Sequence, residues 1–328
     1  MARERVLSGM RSSGRLHLGN YLGALKNWVH MQETYDCYYF IADWHSLTTG
    51  YNDTSQVRES VRDIAIDYLS AGLDPEQSVL FIQSLVPEHA ELHLLLSMIT
   101  PLAWLERVPS FKEIQQELKD RDLATYGFLG YPLLQTADVI MYKANWVPVG
   151  IDQVPHIELS REVVRRFNHL YQVNFFPEPQ PKLTEVPKLP GLDGRKMSKS
   201  YDNTIYLSDS RETLTQKVKT MMTDPARQRR TDPGDPEICP VFDFHRIYSS
   251  TDERQAVAQG CRTAAIGCID CKNVLIRNML TDLEPLHDKR AYYTAHPHEA
   301  YDVLVAGSAQ ARTIAQETMG EVREAMHI

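Results

Sequence analysis

A short segment near the amino end carries residue types that could bind a phosphate group. It reads Gly14-Arg15-Leu16-His17-Leu18-Gly19-Asn20 and lies between a predicted strand and a predicted helix. The free amide groups at the start of a helix, together with the helix dipole, stabilise a phosphate. Gly19 would leave room for a nucleotide against the backbone, and His17 and Asn20 could donate hydrogen bonds into that space. Because short glycine motifs are common, a capped helix start with a surface histidine is the alternative.

Two lysines three residues apart form a second candidate site. The segment Lys196-Met197-Ser198-Lys199-Ser200 follows Gly191-Leu192-Asp193-Gly194-Arg195, a composition that predicts a flexible loop. Such a loop can close on a polyphosphate and neutralise the charge that develops on a leaving pyrophosphate. A solvated basic loop is the alternative.

Four of the five cysteines lie close together in the chain. Cys239 is followed by Cys261, Cys268 and Cys271, with 21, six and two intervening residues. Four thiolates can bind zinc tetrahedrally or hold an iron–sulfur cluster, and the spacing alone does not choose between them. The fifth, Cys37, lies in a predicted strand and is expected to be an ordinary core residue.

Asp138 is a carboxylate within an apolar helical segment. Its neighbours include Leu134, Ala137, Val139 and Ile140. Burying a carboxylate is costly unless it is paired, so the residue needs a partner, and a substrate N–H group would be suitable. The alternatives are an aspartate on the helix surface and one that a neighbouring backbone group satisfies.

The elements that position these residues alternate between strand and helix. Short apolar runs predict strands, helical periodicity predicts the segments between them, and this alternation predicts an α/β fold. We expect a Rossmann-type, doubly wound parallel sheet with a smaller helical domain after it. The predicted strands are 6–9, 37–42, 79–83 and 146–149, and the predicted helices include 89–100, 132–141 and 154–167.

The pattern breaks at residues 174–194, which contain five prolines and two glycines and predict a linker or mobile loop. Strands become scarce after it. The predicted domains are therefore 1–200, with the lysine segment at its end, and 201–328, which is helical and contains the cysteines. The last helix, about 310–326, could pack on either domain.

Composition excludes several classes of protein. The chain has 328 residues, 35 Lys and Arg against 43 Asp and Glu, and a formal charge of −8. These values exclude a collagen, a low-complexity chain and a coiled coil. No apolar run is long enough to span a membrane, and the first residues lack a signal-peptide pattern, so we expect a cytoplasmic protein. Residues 182–230 hold eleven Lys and Arg against six Asp and Glu, so the acidic total does not exclude a nucleic-acid partner.

The two candidate phosphate motifs together resemble those of the class I aminoacyl-tRNA synthetases. His17-Leu18-Gly19-Asn20 departs from the commonest His-Ile-Gly-His form, in a way typical of the tryptophan and tyrosine branch, while the Lys196–Ser200 motif matches fully. Residues 131–153 and 156–161 closely resemble the tryptophanyl-tRNA synthetases, and this resemblance covers essentially the whole chain. It implies ATP-dependent activation of tryptophan to tryptophanyl-adenylate, with Mg²⁺ on the phosphates, and then transfer to tRNA(Trp).

The resemblance also implies roles for individual residues. Catalytic charge stabilisation is implied for His17, Asn20, Lys112, Lys196 and Lys199. ATP binding is implied for Arg11, Ser12, Ser13, Gly19, Asn20, Gly150, Ile151, Asp152, Val186, Lys196, Met197, Ser198, Lys199 and Ser200. Tryptophan binding is implied for His45, Tyr131, Gln135, Asp138, Val147, Val149 and Gln153, with Asp138 accepting the indole N–H. Two residues depart from the family, since Ser12 replaces a frequent proline and Gln135 lies where some members have methionine.

A subset of the family carries a four-cysteine [4Fe–4S] site in this region, and its last two spacings match those here. The resemblance therefore favours an iron–sulfur cluster on Cys239, Cys261, Cys268 and Cys271, with Zn²⁺ as the alternative. It further implies a homodimer and an anticodon-binding role for the helical domain. Three other functions stay open: a tyrosyl-tRNA synthetase, another nucleotidyl-transferring Rossmann enzyme, and a catalytically silent RNA-binding or regulatory relative.

Overall fold

The computed structural model describes residues 3–108, 123–183 and 189–328. The described residues form two compact units. Unit 1 draws on Met1–Gly14, Lys26–Glu185 and Ala295–Ile328, and unit 2 on Arg15–Leu25 and Val186–Thr294. The lysine segment belongs to unit 2 by this division, and the carboxyl-terminal residues belong to unit 1. The expected division into folding domains at residue 200 stays a prediction.

Unit 1 contains a five-stranded sheet in which every pairing is parallel. Its strands are β1 (Arg5–Arg11), β2 (Asp36–Ala42), β3 (Ser78–Ile82), β4 (Trp146–Val149) and β5 (Gln180–Leu183). The order β3-β2-β1-β4-β5 places the change of winding direction between β1 and β4. This confirms the predicted doubly wound parallel sheet, whose ligands bind at the carboxyl ends of the strands.

The helices cover the sheet in unit 1 and make up most of unit 2. They are α1 (Leu18–Asn20), α2 (Lys26–Met31), α3 (Asp43–Gly50), α4 (Val57–Ala71), α5 (Glu88–Ser97), α6 (Leu102–Glu106), α7 (Tyr126–Met141), α8 (Val154–Tyr171), α9 (Arg211–Thr220), α10 (Pro240–Tyr248), α11 (Thr251–Arg262), α12 (Cys268–Ala295) and α13 (Pro297–Met326). A π-helical turn, Tyr21–Leu25, joins α1 to α2. None of the helices among the described residues combines the length and apolarity needed to span a membrane.

One strand lies where the sequence predicted only a linker. β5 falls within 174–194 and pairs in parallel with β4, with Pro181 opposite Val147. Proline cannot donate a backbone hydrogen bond, but an edge strand needs donors on one side only. The proline-rich composition therefore concealed an edge strand.

The last helix packs on the sheet of unit 1. Gly307 of α13 lies so close to β3 that a Cβ built there would be 1.9 Å from the Leu80 carbonyl oxygen. Next to it, the hydroxyl group of Ser308 accepts a 3.1 Å hydrogen bond from the Ile82 amide. The absence of a side chain at Gly307 is thus a packing requirement.

Unit 2 has no strand ladder among its described residues and is held by helices and short backbone contacts. The Leu18 amide donates to Ile205 O at 2.9 Å, and the Leu207 amide donates to Leu16 O at 3.0 Å. Farther along the chain, Phe242, Val257 and Ala258 form a small apolar cluster. The predicted scarcity of strands after the linker agrees with this arrangement.

Candidate functional site

Asp138 of α7 is a buried charged group of unit 1, with 1 % of its surface exposed. Its Oδ1 accepts from His89 Nδ1 at 2.6 Å and from Gln83 Nε2 at 2.8 Å. Its Oδ2 accepts from His45 Nε2 at 2.8 Å and from Gln83 Nε2 at 2.9 Å. We call Asp138, Gln83, His45 and His89 the carboxylate cage.

The cage keeps Asp138 ionised. Burial alone would raise the pKa of Asp138, but hydrogen bonds from His45 and His89 outweigh burial and hold this pKa at about 2. The Nε2 atom of His89 lies 2.7 Å from the hydroxyl oxygen of Tyr142. Burial, followed by the charge of Asp138, raises the pKa of Tyr142 well above its usual range, so this hydroxyl group keeps its proton.

The members of the cage that follow β2 and β3 lie at the carboxyl edge of the sheet. His45 lies in α3 directly after β2, Gln83 follows β3 directly, and His89 lies in α5 just beyond it. Carboxyl ends of parallel strands share one edge, so side chains placed after β2 and β3 meet there. Sequence reasoning found His45 and Asp138 but missed Gln83 and His89. The position of Gln83 as the last residue of a predicted strand was the available signal.

A cavity of about 360 Å³ lies between α3, α5 and α7. Its lining is mainly apolar and aromatic: Trp44, Leu47, Thr48, Tyr51, His93, Thr125, Gly127, Gly130, Tyr131 and Leu134. Of the predicted tryptophan-binding residues, it is Tyr131 that lines this cavity. Val147 and Val149 of β4 are core side chains, Gln135 of α7 is half-buried, and none of these three lines the cavity.

The end of β1 is tied to α3. The Ser12 side chain is buried and its Oγ donates to Ser46 Oγ at 3.0 Å, while Arg11 Nη2 donates to Thr49 Oγ1 at 2.6 Å. Ser12, which replaces the proline frequent in the family, therefore anchors the turn through its side chain. Ser13 is exposed.

The residues after β4 form a tight turn. Ile151–Gln153 is a 3₁₀ turn, and Gln153 Nε2 donates to Asp152 Oδ2 at 2.9 Å. A Cβ built at Gly150 would lie 2.6 Å from Asp152 Oδ1, so a side chain there would displace the Asp152 carboxylate. The turn lies at the carboxyl edge of the sheet, which is compatible with the predicted ribose-binding role of Gly150, Ile151 and Asp152.

In unit 2, His17 and Asn20 define the start of α1. The His17 amide donates to Asn20 Oδ1 at 3.0 Å. A Cβ built at Gly19 would lie 2.9 Å from the His17 ring, so the missing side chain makes room for this ring. Burial, followed by the positive charge of Lys199, lowers the pKa of His17 to about 4. The structure therefore places the two predicted phosphate motifs within electrostatic range of each other.

Hydrogen bonds to Asn203, a buried residue that sequence reasoning missed, hold the lysine segment in place. Asn203 Oδ1 accepts from the Ser198 amide at 2.9 Å, and its Nδ2 donates to Asp193 Oδ1 at 2.7 Å and to Lys196 O at 3.1 Å. We call residues 190–203 the lysine loop. Met197 is buried and Lys196 is exposed, so the scaffold turns one side chain inward and the other outward. Two further predicted residues, Lys112 and Val186, lie outside the described residues.

The four clustered cysteines come near one another without forming a ligand set. Burial raises the pKa of Cys271 to about 12, and the charges of Cys239, Cys261 and Cys268 add to this effect. Cys239 and Cys271 pack against the apolar cluster around Phe242. Within the described part of the chain, no three Cys, His, Asp or Glu residues stand in positions that could hold a metal ion.

Comparison with known proteins identifies the family. A family model described as tRNA synthetases class I (W and Y) matches residues 2–283. The tryptophan–tRNA ligase of Thermotoga maritima is 54% identical over 326 residues, covering 99% of each chain. That of Ralstonia nicotianae is 46% identical over 392 aligned positions, covering 98% of each. The crystal structure of the Campylobacter jejuni tryptophanyl-tRNA synthetase with ADP and tryptophan has a TM-score of 0.89 at 33% identity, covering 99% of this chain and 100% of that one.

Proposed function

The chain belongs to the class I tRNA synthetases of the tryptophan and tyrosine type, and from this premise we propose how its residues carry out the reaction. The activity is that of an aminoacyl-tRNA ligase for tryptophan. The tryptophan carboxylate attacks the α-phosphate of ATP, which gives tryptophanyl-adenylate and pyrophosphate. The terminal ribose of tRNA(Trp) then accepts the acyl group.

Amino-acid recognition centres on Asp138. The observation that carries this proposal is a buried, ionised carboxylate at the carboxyl edge of a doubly wound sheet. Such a group is a strong acceptor for an indole N–H, and it disfavours a phenylalanine side chain, which would leave the acceptor unpaired. Tyr131 lines the neighbouring cavity. The full set of tryptophan-binding residues is His45, Tyr131, Gln135, Asp138, Val147, Val149 and Gln153.

The ATP phosphates are bound by the motifs of unit 2. His17 and Asn20 at the start of α1 and the lysines of the lysine loop stabilise the charge that develops on pyrophosphate, as does Lys112. Mg²⁺, which is typical of the family, would supply further positive charge to the ATP phosphates and so lower their mutual repulsion. This chain's residues need only align and stabilise the reacting groups, so no side chain acts as a nucleophile.

Nucleotide contacts complete the ATP proposal. We assign them to Arg11, Ser12, Ser13, Gly19, Asn20, Gly150, Ile151, Asp152, Val186, Lys196, Met197, Ser198, Lys199 and Ser200. The buried Ser12 side chain is already bonded to Ser46, so its contribution comes from the backbone.

Substrate-dependent ATP–pyrophosphate exchange tests the function. We expect purified protein to exchange labelled pyrophosphate into ATP with tryptophan and to show no exchange with tyrosine. Charging of purified tRNA(Trp) in the same preparation tests the second step. Exchange with tyrosine alone would indicate the tyrosine enzyme of the branch, and no exchange with either amino acid would indicate a silent relative.

The cysteines of unit 2 are proposed to bind a [4Fe–4S] cluster, with Zn²⁺ as the alternative. Four soft ligands in one region support this, but they do not stand at ligating positions in this structure, so loading requires the side chains to move. The cluster would link α10, α11 and α12, and we derive no step of the reaction from it. Iron, sulfide and zinc analysis of anaerobically purified protein tests the proposal, and protein free of all three would leave the cysteines as core thiols.

The remaining proposals concern partners and location. Exposed apolar side chains occur at Leu94 of α5, at Met98 directly after it and at Leu102 of α6, which supports a homodimer interface on unit 1. The helical domain is proposed to bind the tRNA anticodon. Sedimentation velocity of wild type and Met98→Glu tests the dimer, and a monomeric wild-type protein at working concentration would overturn it. A cytoplasmic location stays a prediction.

A further inference from the structure

The carboxylate of Asp138 has no acceptor position left for a substrate. Each of its oxygens already accepts two hydrogen bonds, all four between 2.6 and 2.9 Å. A carboxylate offers about four acceptor directions in total. An incoming indole N–H must therefore take the place of one protein donor.

The exposure of the donors indicates which one yields. The side chains of Gln83 and His89 are fully buried, whereas the His45 side chain is 10% exposed. His45 lies in α3 directly after β2, and of the three donors its ring is the one with exposed surface and therefore the one best able to move. The acceptor position on Oδ2 is consequently the one that a substrate can take.

His89 is held from its far side. Because a carboxylate only accepts, Nδ1 of His89 carries a hydrogen and donates to Asp138. Its Nε2 is hydrogen-bonded to the Tyr142 hydroxyl group, which is itself fully buried. Phe40 and Phe81 pack around the His89 ring, with centroids 6.3 and 6.0 Å away. The ring thus has a single orientation in which both nitrogens are paired.

We propose that His89 and Tyr142 are positioning residues for amino-acid selection, which hold Asp138 in one orientation while the indole N–H replaces His45 on Oδ2. This inference rests on the proposed function, since it assumes that tryptophan is the substrate and Asp138 its acceptor. Neither residue touches the substrate. They act by keeping the acceptor ionised and its remaining oxygen directed at the ring N–H.

Removing the Tyr142 hydroxyl group should weaken selection more than it weakens the fold. In Tyr142→Phe, the Nε2 atom of His89 loses its only hydrogen-bond partner among the described residues, so the ring loses its fixed orientation and Asp138 loses a reliable donor. Loss of one buried hydrogen bond corresponds to roughly a five- to ten-fold change in an equilibrium constant. We expect a loss of that size in the preference for an N–H group.

The experiment compares tryptophan with its benzothiophene analogue, in which sulfur replaces the ring N–H. The readout is the ratio of kcat/KM for the two amino acids in ATP–pyrophosphate exchange, because a general loss of folded protein cancels in this ratio. Tyr68→Phe is the matched control, since Tyr68 is also fully buried and donates to a backbone oxygen, Phe40 O, at 3.0 Å outside the cage.

The expected result is a five- to ten-fold lower ratio in Tyr142→Phe, with the ratio unchanged in Tyr68→Phe. An unchanged ratio in Tyr142→Phe, or an equal drop in both variants, would overturn the inference. Asp138→Asn separates the two levels of the proposal: if this variant keeps the wild-type ratio, Asp138 is not the acceptor. If wild-type protein shows no tryptophan-dependent exchange, the proposed function itself fails.

Discussion

The carboxylate cage of unit 1 and the lysine loop of unit 2 differ in how far apart in the sequence their hydrogen-bonded residues are. Asp138 is held by side chains 49, 55 and 93 positions away. Asn203 holds the lysine loop through partners five, seven and ten positions away. The cage therefore exists only when the sheet has assembled, whereas the loop can form from its own residues.

This difference predicts different responses to mutation. Changes in the cage should lower both the free energy of unfolding and tryptophan selection, because the same hydrogen bonds serve both. Changes in the lysines of the lysine loop should affect the ATP step and leave stability nearly unchanged, because Lys196 is exposed and Lys199 is half-buried, and such side chains contribute little to packing. Four variants test the contrast.

The largest effect is expected for Asp138→Asn. The new amide group would face hydrogen-bond donors that need an acceptor, so we expect a loss of about 3 kcal/mol of unfolding free energy. Tryptophan-dependent exchange should fall on the order of 10³-fold. Denaturant unfolding and exchange assays measure both, with the exposed Glu106→Gln as the control. A stable, active Asp138→Asn variant would contradict the joint role of the cage.

Lys199→Ala should slow ATP–pyrophosphate exchange about 10²-fold, because one charge that stabilises the leaving pyrophosphate is lost. Tryptophan binding, measured by calorimetry, should change little, and the unfolding free energy should stay within about 0.5 kcal/mol of wild type. Lys289→Ala, an exposed lysine of unit 2, is the control. Weakened tryptophan binding with normal exchange would sink the assignment.

Asn203→Ala should lower exchange roughly ten-fold through kcat, because the loop loses three hydrogen bonds that position its lysines. Asn278→Ala is the matched control, since Asn278 also makes three hydrogen bonds in unit 2 outside the loop, with Ser249, Glu253 and Arg277. It should lower stability and leave exchange unchanged. Equal effects of the two variants on kcat would show that the loop scaffold has no special role.

The smallest effect concerns pH. The pKa of His17 is about 4 in the folded protein, below its ordinary value of 6.5, so the unfolded chain binds a proton that the folded one does not. The contribution of neutral His17 to the free energy of unfolding is fully present above pH 6.5. It declines as the pH falls from 6.5 to 4, and it does not change further below pH 4. Burial lowers the pKa of His156 and His245 to about 4 as well, so they add to this slope.

His17→Asn should therefore remove about one proton from the slope of unfolding free energy against pH. Denaturant titrations between pH 7 and 4 measure this slope, and the exposed His298→Asn is the control. Asp138 does not interfere, because its stabilising contribution is lost only as the pH falls from about 4 toward 2. A slope identical to that of wild type would place His17 in a solvated environment.

Sequence patterns predicted the fold well where the signal was local. Strand β4 was predicted at its observed bounds, and the helix predicted from residue 154 begins there as α8. The edge strand β5 was missed, because its prolines are excluded from central strands but tolerated at an edge. Burial of α13 against β3 was left open, since an amphipathic helix can cover any apolar surface.

The sequence by itself determined the class of fold and the family, and it predicted the two phosphate motifs, because each depends on residues close together in the chain. The tertiary structure alone decided that Gln83 and His89 hold Asp138, that Ser12 is anchored to Ser46, and that the clustered cysteines do not stand as a ligand set. Spacing along a chain limits which side chains can meet. The partner of a buried polar group comes from any element that packs beside it, so it is known only after the strands and helices are assembled.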